Sequence, residues 1–271
     1  MLDFITGLVM DGFLPVFLTL LDFLPTVVVL LVLVALFEHS GLILGFSCTT
    51  LAVGIAPKDP RYIRMLSFIP CSAKLPVLMF MCTVVLGWSI FGVAFLYILA
   101  LTIGIILGGY HVLAIPRLRH IGFRDFILLI IRNIIEFLKR ISLGLVIAVF
   151  ALYTLQFFNL LIPIMSLFAP IFTPIGLANP MVLACLVFGL VAKEMIVGAI
   201  LSFGVVALEL TTASAISFIV FALLYTPCLP TLTAIKSKLG LKHAAKTAGF
   251  NFLVAYIIAF VFYNLCVILT L

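Results

Sequence analysis

"LPVLMFMCTVVLGWSIFGVAFLYILALTIGIILGGYHVLAIP", Leu75–Pro116, runs without a single Asp, Glu, Lys or Arg. A transmembrane helix needs about 20 consecutive apolar residues, so this stretch has room for two. Further charge-free runs cover Phe23–Phe37, Ile141–Ala192, Leu210–Ile235 and Thr247–Leu271. The whole chain of 271 residues is 66% hydrophobic and 9% charged, with a mean hydropathy of +1.47. A soluble domain of that length needs far more charge to cover its surface. The runs do not alternate polar and apolar residues, as strands of a membrane barrel must. Helices satisfy their own backbone groups in lipid, so the sequence predicts an all-α, polytopic membrane protein forming one transmembrane domain over residues 1–271.

The N-terminus, "MLDFITGLVMDG", has neither a basic leader nor a small-residue cleavage site, and does not read as a cleaved signal. "GLKHAAKT", Gly240–Thr247, has the look of a phosphate-binding loop, but Ala245 stands where backbone approach to phosphate requires glycine. It reads as a solvated basic turn.

Charge placement supplies the orientation. Thirteen of the fifteen basic residues fall in three clusters. These are Lys58, Arg61 and Arg64; then Arg117, Arg119, Arg124, Arg132, Lys139 and Arg140; then Lys236, Lys238, Lys242 and Lys246. Short basic loops stay on the cytoplasmic side, which places all three there. The first 22 residues carry Asp3, Asp11 and Asp22 and no basic residue, consistent with an outside start. The net charge of +6 is thereby accounted for by topology and lipid headgroups, without nucleic acid.

These anchors leave six clear spans and three segments that are too short or too rich in Pro and Gly to cross simply, about 6–8 spans in all. The three are 42–56, 160–180 and 211–235. Broken or re-entrant helices fit them, because non-helical backbone is tolerated at membrane depth only when covered by protein or lining a cavity. Leu75–Trp88 and Phe91–Tyr110 form a helical hairpin, and Met181–Val206 a single crossing. Residues 111–140 form a cytoplasmic basic segment whose Arg132 and Glu136 are an i,i+4 pair on an amphipathic, interface-lying helix. A weak two-fold repeat relates 23–88 to 181–271, with "GFSCTTLAV" and "YTPCLPTLTAI" in matching places. Such paired breaks are where transporters build substrate sites, and glycine- and proline-rich packing motifs give the same pattern.

Lys74 and Lys193 are the two basic residues outside the clusters, and Glu194 follows Lys193. A charge in the membrane interior costs about 2.5–3.5 kcal/mol on insertion scales, so it needs a partner or a wet cavity. Neighbours on a helix point about 100° apart, so Lys193 and Glu194 serve each other poorly. Lys74 beside Glu194 is the expected pair, against snorkelling of either residue to the interface. Glu38 and His39, at the inner end of the first span, read equally as a metal ligand pair or a polar turn. The six cysteines show neither a CxxC spacing nor a dense disulfide pattern. Cys82, Cys185 and Cys266 sit in smooth apolar runs and read as packing residues. Cys48, Cys71 and Cys228 sit beside helix breaks, where thiolates would favour transition metals over Mg2+ or Ca2+.

"LVMDGFLPVFLTLLDFLPTVVVLLVLVALFEHSG", "GFSC", "IPCSAKLP", "LFAPIFTPIG", "AKEMIVG" and "LLYTPCLPTLTAIKSKLGLKHA" occur in that order. In that order they resemble the membrane part of ferrous iron transport protein B, with its two gate modules. The resemblance covers nearly the whole chain. It implies Fe2+ as a transported ion, no permanently bound cofactor, no enzymatic step, and a multi-pass location in the cytoplasmic membrane. Carried over residue by residue, it implies Cys48 and Cys228 as metal ligands, with Cys71 and Glu194 beside them. Lys74, Lys193 and Glu38 then balance charge or gate the empty site. Two departures stand out. The family's N-terminal GTP-binding domain has no counterpart here, so GTP-linked control must come from a separate GTPase chain or small regulatory protein, or be absent. The first gate motif reads "CTTLA" in place of an Asn-x-Pro-Ala-like sequence. The partners expected are the lipid bilayer and a divalent metal ion, with a homo-oligomer left open. Two other classes stay open beside metal uptake: a nucleoside-like small-solute carrier of the gate type, and a non-transporting membrane subunit that docks a partner.

Overall fold

The computed structural model describes 58–68, 74–88, 90–108, 153–155, 157–191, 195–204 and 208–270, with single positions between them that include Val53 and Lys193. Every regular element among the described residues is helical. In chain order these are α1 (Pro60–Leu66), α2 (Lys74–Phe80), α3 (Ile90–Gly108), α4 (Leu161–Ser166), α5 (Ala169–Phe172), α6 (Pro180–Val191), α7 (Met195–Phe203), α8 (Thr212–Leu224), α9 (Leu229–Leu239) and α10 (Leu241–Thr270).

Two helical stretches are long and apolar enough to cross a membrane. One is Thr212–Leu239, which comprises α8 and α9, and the other is Leu241–Leu269 within α10. A third candidate is bent by 96° between Ala169–Ile175 and Pro180–Val191. The bend has local causes. Pro170 and Pro174 break the chain into short helical pieces, and Gly176 ends them with φ 72. A side chain at position 176 would be strained by that φ and would fall on the ring of Tyr263. Asn179 then starts α6 by accepting the Met181 N–H at 2.8 Å, with Pro180 in the first helical position. The break expected over 160–180 is therefore present. So is the one in 211–235, where the helix stops at Leu224 and resumes at Leu229. The break expected over 42–56 and the basic segment 111–140 lie outside the described residues, apart from single positions.

The structure differs from the sequence reading at two of the expected spans. Met181–Val206 is not one helix: a turn at Lys193 separates α6 from α7. Gly189 faces Ile196 across that turn so closely that a Cβ at 189 would overlap the isoleucine. The 12 and 9 residues of the two helices are each short of a full crossing. Leu75–Trp88 is likewise short, because α2 passes into a π-helical turn, Met81–Val85, that ends at Gly87 with φ 63. At these two places apolar run length overstated helical continuity.

Helix α8 is buried on every side from Ala213 to Leu224, which makes it the central element. α10 lies against it and turns its other faces outward, with Leu253, Ile257, Val261 and Leu265 exposed. The contact stripe on α10 is Ala244, Thr247, Asn251, Ala255 and Ala259, all buried. Apolar burial between helices gains little in lipid, so close approach over small residues and interhelical hydrogen bonds carry the packing. Several such bonds join the elements. Ser217 Oγ donates to Ile175 O at 2.6 Å, Asn179 Nδ2 to Leu208 O at 3.2 Å, and Tyr256 OH to Ile171 O at 2.7 Å. Phe172, Phe221 and Phe252 meet edge to face and tie the bent segment to α8 and α10.

Candidate functional site: a junction of interrupted helices

Three interruptions of the fold meet at one place. Lys74 opens α2, Lys193 occupies the turn between α6 and α7, and Tyr225 ends α8. Both lysines are buried, at 5% and 2% exposure. They line one small cavity of about 10 Å3 together with Val77 and Leu78 of α2, Ile196 of α7 and Ile219 of α8. That is the size of a single water molecule.

Each lysine also has a contact of its own. Lys74 Nζ donates to Ser67 O at 3.2 Å, just past the C-terminal end of α1, where backbone carbonyls favour a cation. Its side chain is held inside the protein. Ser67 in turn is fixed by Asn251, whose amide donates to the serine hydroxyl at 2.6 Å. Lys193 Nζ stands 3.1 Å from the centre of the Tyr225 ring, a cation–π contact. The tyrosine is held from the other direction by a 2.8 Å hydrogen bond from its hydroxyl to Leu186 O of α6. Gly189 makes room for it, because a Cβ there would overlap that hydroxyl.

Three residues past Tyr225 comes Cys228, half-buried, at the N-cap of α9. Its Sγ lies 3.3 Å from the Thr231 hydroxyl. Along α9, Ile235 packs with Val53, Ile63, Leu66 and Ala244, and Lys238 Nζ donates to Val53 O at 2.7 Å. Val53 belongs to "GFSCTTLAV" and Ile235 to "YTPCLPTLTAI". Val53, the described residue of the first stretch, is thus in contact with the second. The same packing brings α1, which carries Arg61 and Arg64, against α9 and the start of α10, which carry Lys236 and Lys242.

Of the residues expected at a metal site, Cys228 is described, while Cys48, Cys71 and Glu194 lie outside the described residues, as does Glu38. Among the described residues, no three His, Cys, Asp or Glu side chains come together as a metal site. Cys82 and Cys185 are fully buried in the apolar core, and Cys266 packs against it. Tyr225 and Gly189 were not singled out from sequence. The tyrosine stands directly before "TPC", and that position beside a helix break was the available signal.

The fold and this junction define a helical membrane protein whose interior holds two buried cations where its helices are interrupted. The chain is similar to the Fe(2+) transporter FeoB of Synechocystis sp., with 28% identity over 95% of this chain and 52% of the relative. It spans about half the length of that curated relative. The likeness to ferrous iron transport protein B that the motifs carry is borne out over nearly the whole chain. No protein-family profile and no solved structure matches the chain.

Proposed function

We propose that the chain forms the membrane path of a divalent metal transporter and moves Fe2+ inward across the cytoplasmic membrane. The observation that carries this reading is the placement of Cys228. It stands at a helix interruption, in a stretch whose Ile235 packs with Val53, on a chain similar to a protein described as an Fe(2+) transporter. A thiol at an opened helix end is a suitable ligand for a borderline divalent ion, which takes the sulfur as thiolate. Cys48 is its proposed counterpart from the first repeat, with Cys71 and Glu194 as further ligands. Lys74 and Lys193 supply positive charge beside the path while no ion occupies it. The transported ion binds and is released on the other side, and no covalent bond forms or breaks.

The test is Fe2+ uptake by the purified chain in sealed vesicles. Metal flux above that of empty vesicles supports the reading. A well-incorporated chain that gives no flux, alone or with a separate GTPase chain added, sinks it in favour of a docking subunit. Flux of a nucleoside-like solute in place of metal would point to the carrier class.

A further inference from the structure

Cys228 can act at a gate only if the interruption that carries it is held in a defined position. The chain between Tyr225 and Cys228 is short and stiff. Both end residues are extended, with ψ 175 and 158, and Pro227 between them has a fixed φ. Thr226 adds a hydrogen bond from its hydroxyl to Ala248 O at 3.3 Å. Tyr225 and Cys228 are therefore joined by a short, conformationally restricted link.

We infer that Tyr225 is a positioning residue for the Cys228 break, latched in place by the Lys193 ammonium. This rests on the reading of Cys228 as a metal ligand. The ring is fixed at several points. Its backbone N–H donates to Phe221 O at 2.8 Å, its hydroxyl to Leu186 O at 2.8 Å, and its face stacks on Phe221 at 5.2 Å. The ammonium, 3.1 Å from the ring centre, is the contact a flexible side chain can make or release without unfolding anything. The latch so described joins the turn between α6 and α7 to the break between α8 and α9. A rearrangement at one interruption is thereby felt at the other.

The experiment uses the full chain in vesicles with Cys228 as its sole cysteine, Cys48, Cys71, Cys82, Cys185 and Cys266 being replaced by Ala. The readout is the rate at which a maleimide labels Cys228. Lys193→Met and Tyr225→Leu should each raise that rate by about threefold or more, threefold being the minimum expected from loss of a cation–π contact. The double variant should label no faster than the faster single variant, because both changes remove the same contact. Tyr225→Phe keeps the ring and should change the rate less than Tyr225→Leu. Unchanged rates in both single variants, or effects that multiply in the double, overturn the latch. Should Tyr225→Leu fail to fold, Lys193→Met is compared with Lys193→Arg, which keeps a cation over the ring. An equal rise in both overturns the proposal; a rise in Lys193→Met alone supports it. Labelling does not depend on iron, so the two readings fail separately. Normal uptake by Cys228→Ser defeats the ligand reading, whereas lost uptake with unchanged labelling in Lys193→Met and Tyr225→Leu defeats the latch.

Discussion

Lys193 holds its ammonium nitrogen 3.1 Å from the centre of the Tyr225 ring, inside the protein. An ionised lysine at that depth costs about 2.5–3.5 kcal/mol on insertion scales. A desolvated cation–π contact offsets roughly 2 kcal/mol of that at most. The ring is therefore a substantial part of what makes the position tolerable, and the lysine's remaining contacts supply the rest. Lys74 meets the same cost with a different device, the carbonyl of Ser67.

If Lys74 and Glu194 share this buried region, Lys74→Ala should harm folding or uptake more than Lys74→Ala combined with Glu194→Gln. A lone buried carboxylate costs more than a neutral pair. Folded yield and uptake of the two variants measure this, and simple additivity of the two changes excludes the pairing.

Gly189→Ala should destabilise the protein by about 1–3 kcal/mol through overpacking. The new Cβ overlaps both the Tyr225 hydroxyl and Ile196. Combining it with Tyr225→Phe should recover part of the loss, because the hydroxyl is one of the two obstacles. Thermal unfolding in detergent reports both, and no recovery would place the clash on Ile196 alone.

Cys48→Ser and Cys228→Ser should each lower Fe2+ uptake strongly, while Cys82→Ser, Cys185→Ser and Cys266→Ser should do little to it. Serine is nearly isosteric and keeps its proton at neutral pH, so ligation is removed with little change of shape. Zn2+ and Co2+ should compete with Fe2+ and Mg2+ should not, because Mg2+ is hard and strongly hydrated. Normal uptake in both gate variants at full expression would transfer the ion to carbonyls or Glu194.

Single-cysteine probes at positions 58, 61, 236 and 242 should resist membrane-impermeant reagents applied from outside. These positions lie on or next to α1, α9 and α10, whose Ile63, Leu66, Ile235 and Ala244 pack together. Efficient outer labelling at 242 would invert the orientation read from the basic clusters.

Asn251→Leu should cost about 1–3 kcal/mol, the range for leaving a buried polar group without its partner. Its amide is the 2.6 Å donor to the Ser67 hydroxyl, and Ser67 carries the carbonyl that receives Lys74. Asn251→Asp would remove the donor while keeping the shape, so it should also destabilise. Equal stability of all three chains would remove Asn251 from the support of Lys74.

Charge-free runs, the three basic clusters and the proline-rich breaks were legible from sequence because solvent preference and φ restriction are local properties. They determined a helical membrane protein, the interruption between α8 and α9, and the bend before α6. Lys74 and Lys193 could be singled out for the same reason: an ammonium in an apolar run is conspicuous whatever the fold. What they touch was not legible. The turn at Lys193 arises where no proline or glycine marks it, held by the packing of Ile196 on Gly189 and of Tyr225 on both sides of it. Likewise the contact of Val53 with Ile235 and Lys238 joins residues from opposite ends of the chain. Local residue preferences say where a helix can stop; only packing between distant segments decides which interruptions are brought together, because that depends on shape and hydrogen bonding across the fold.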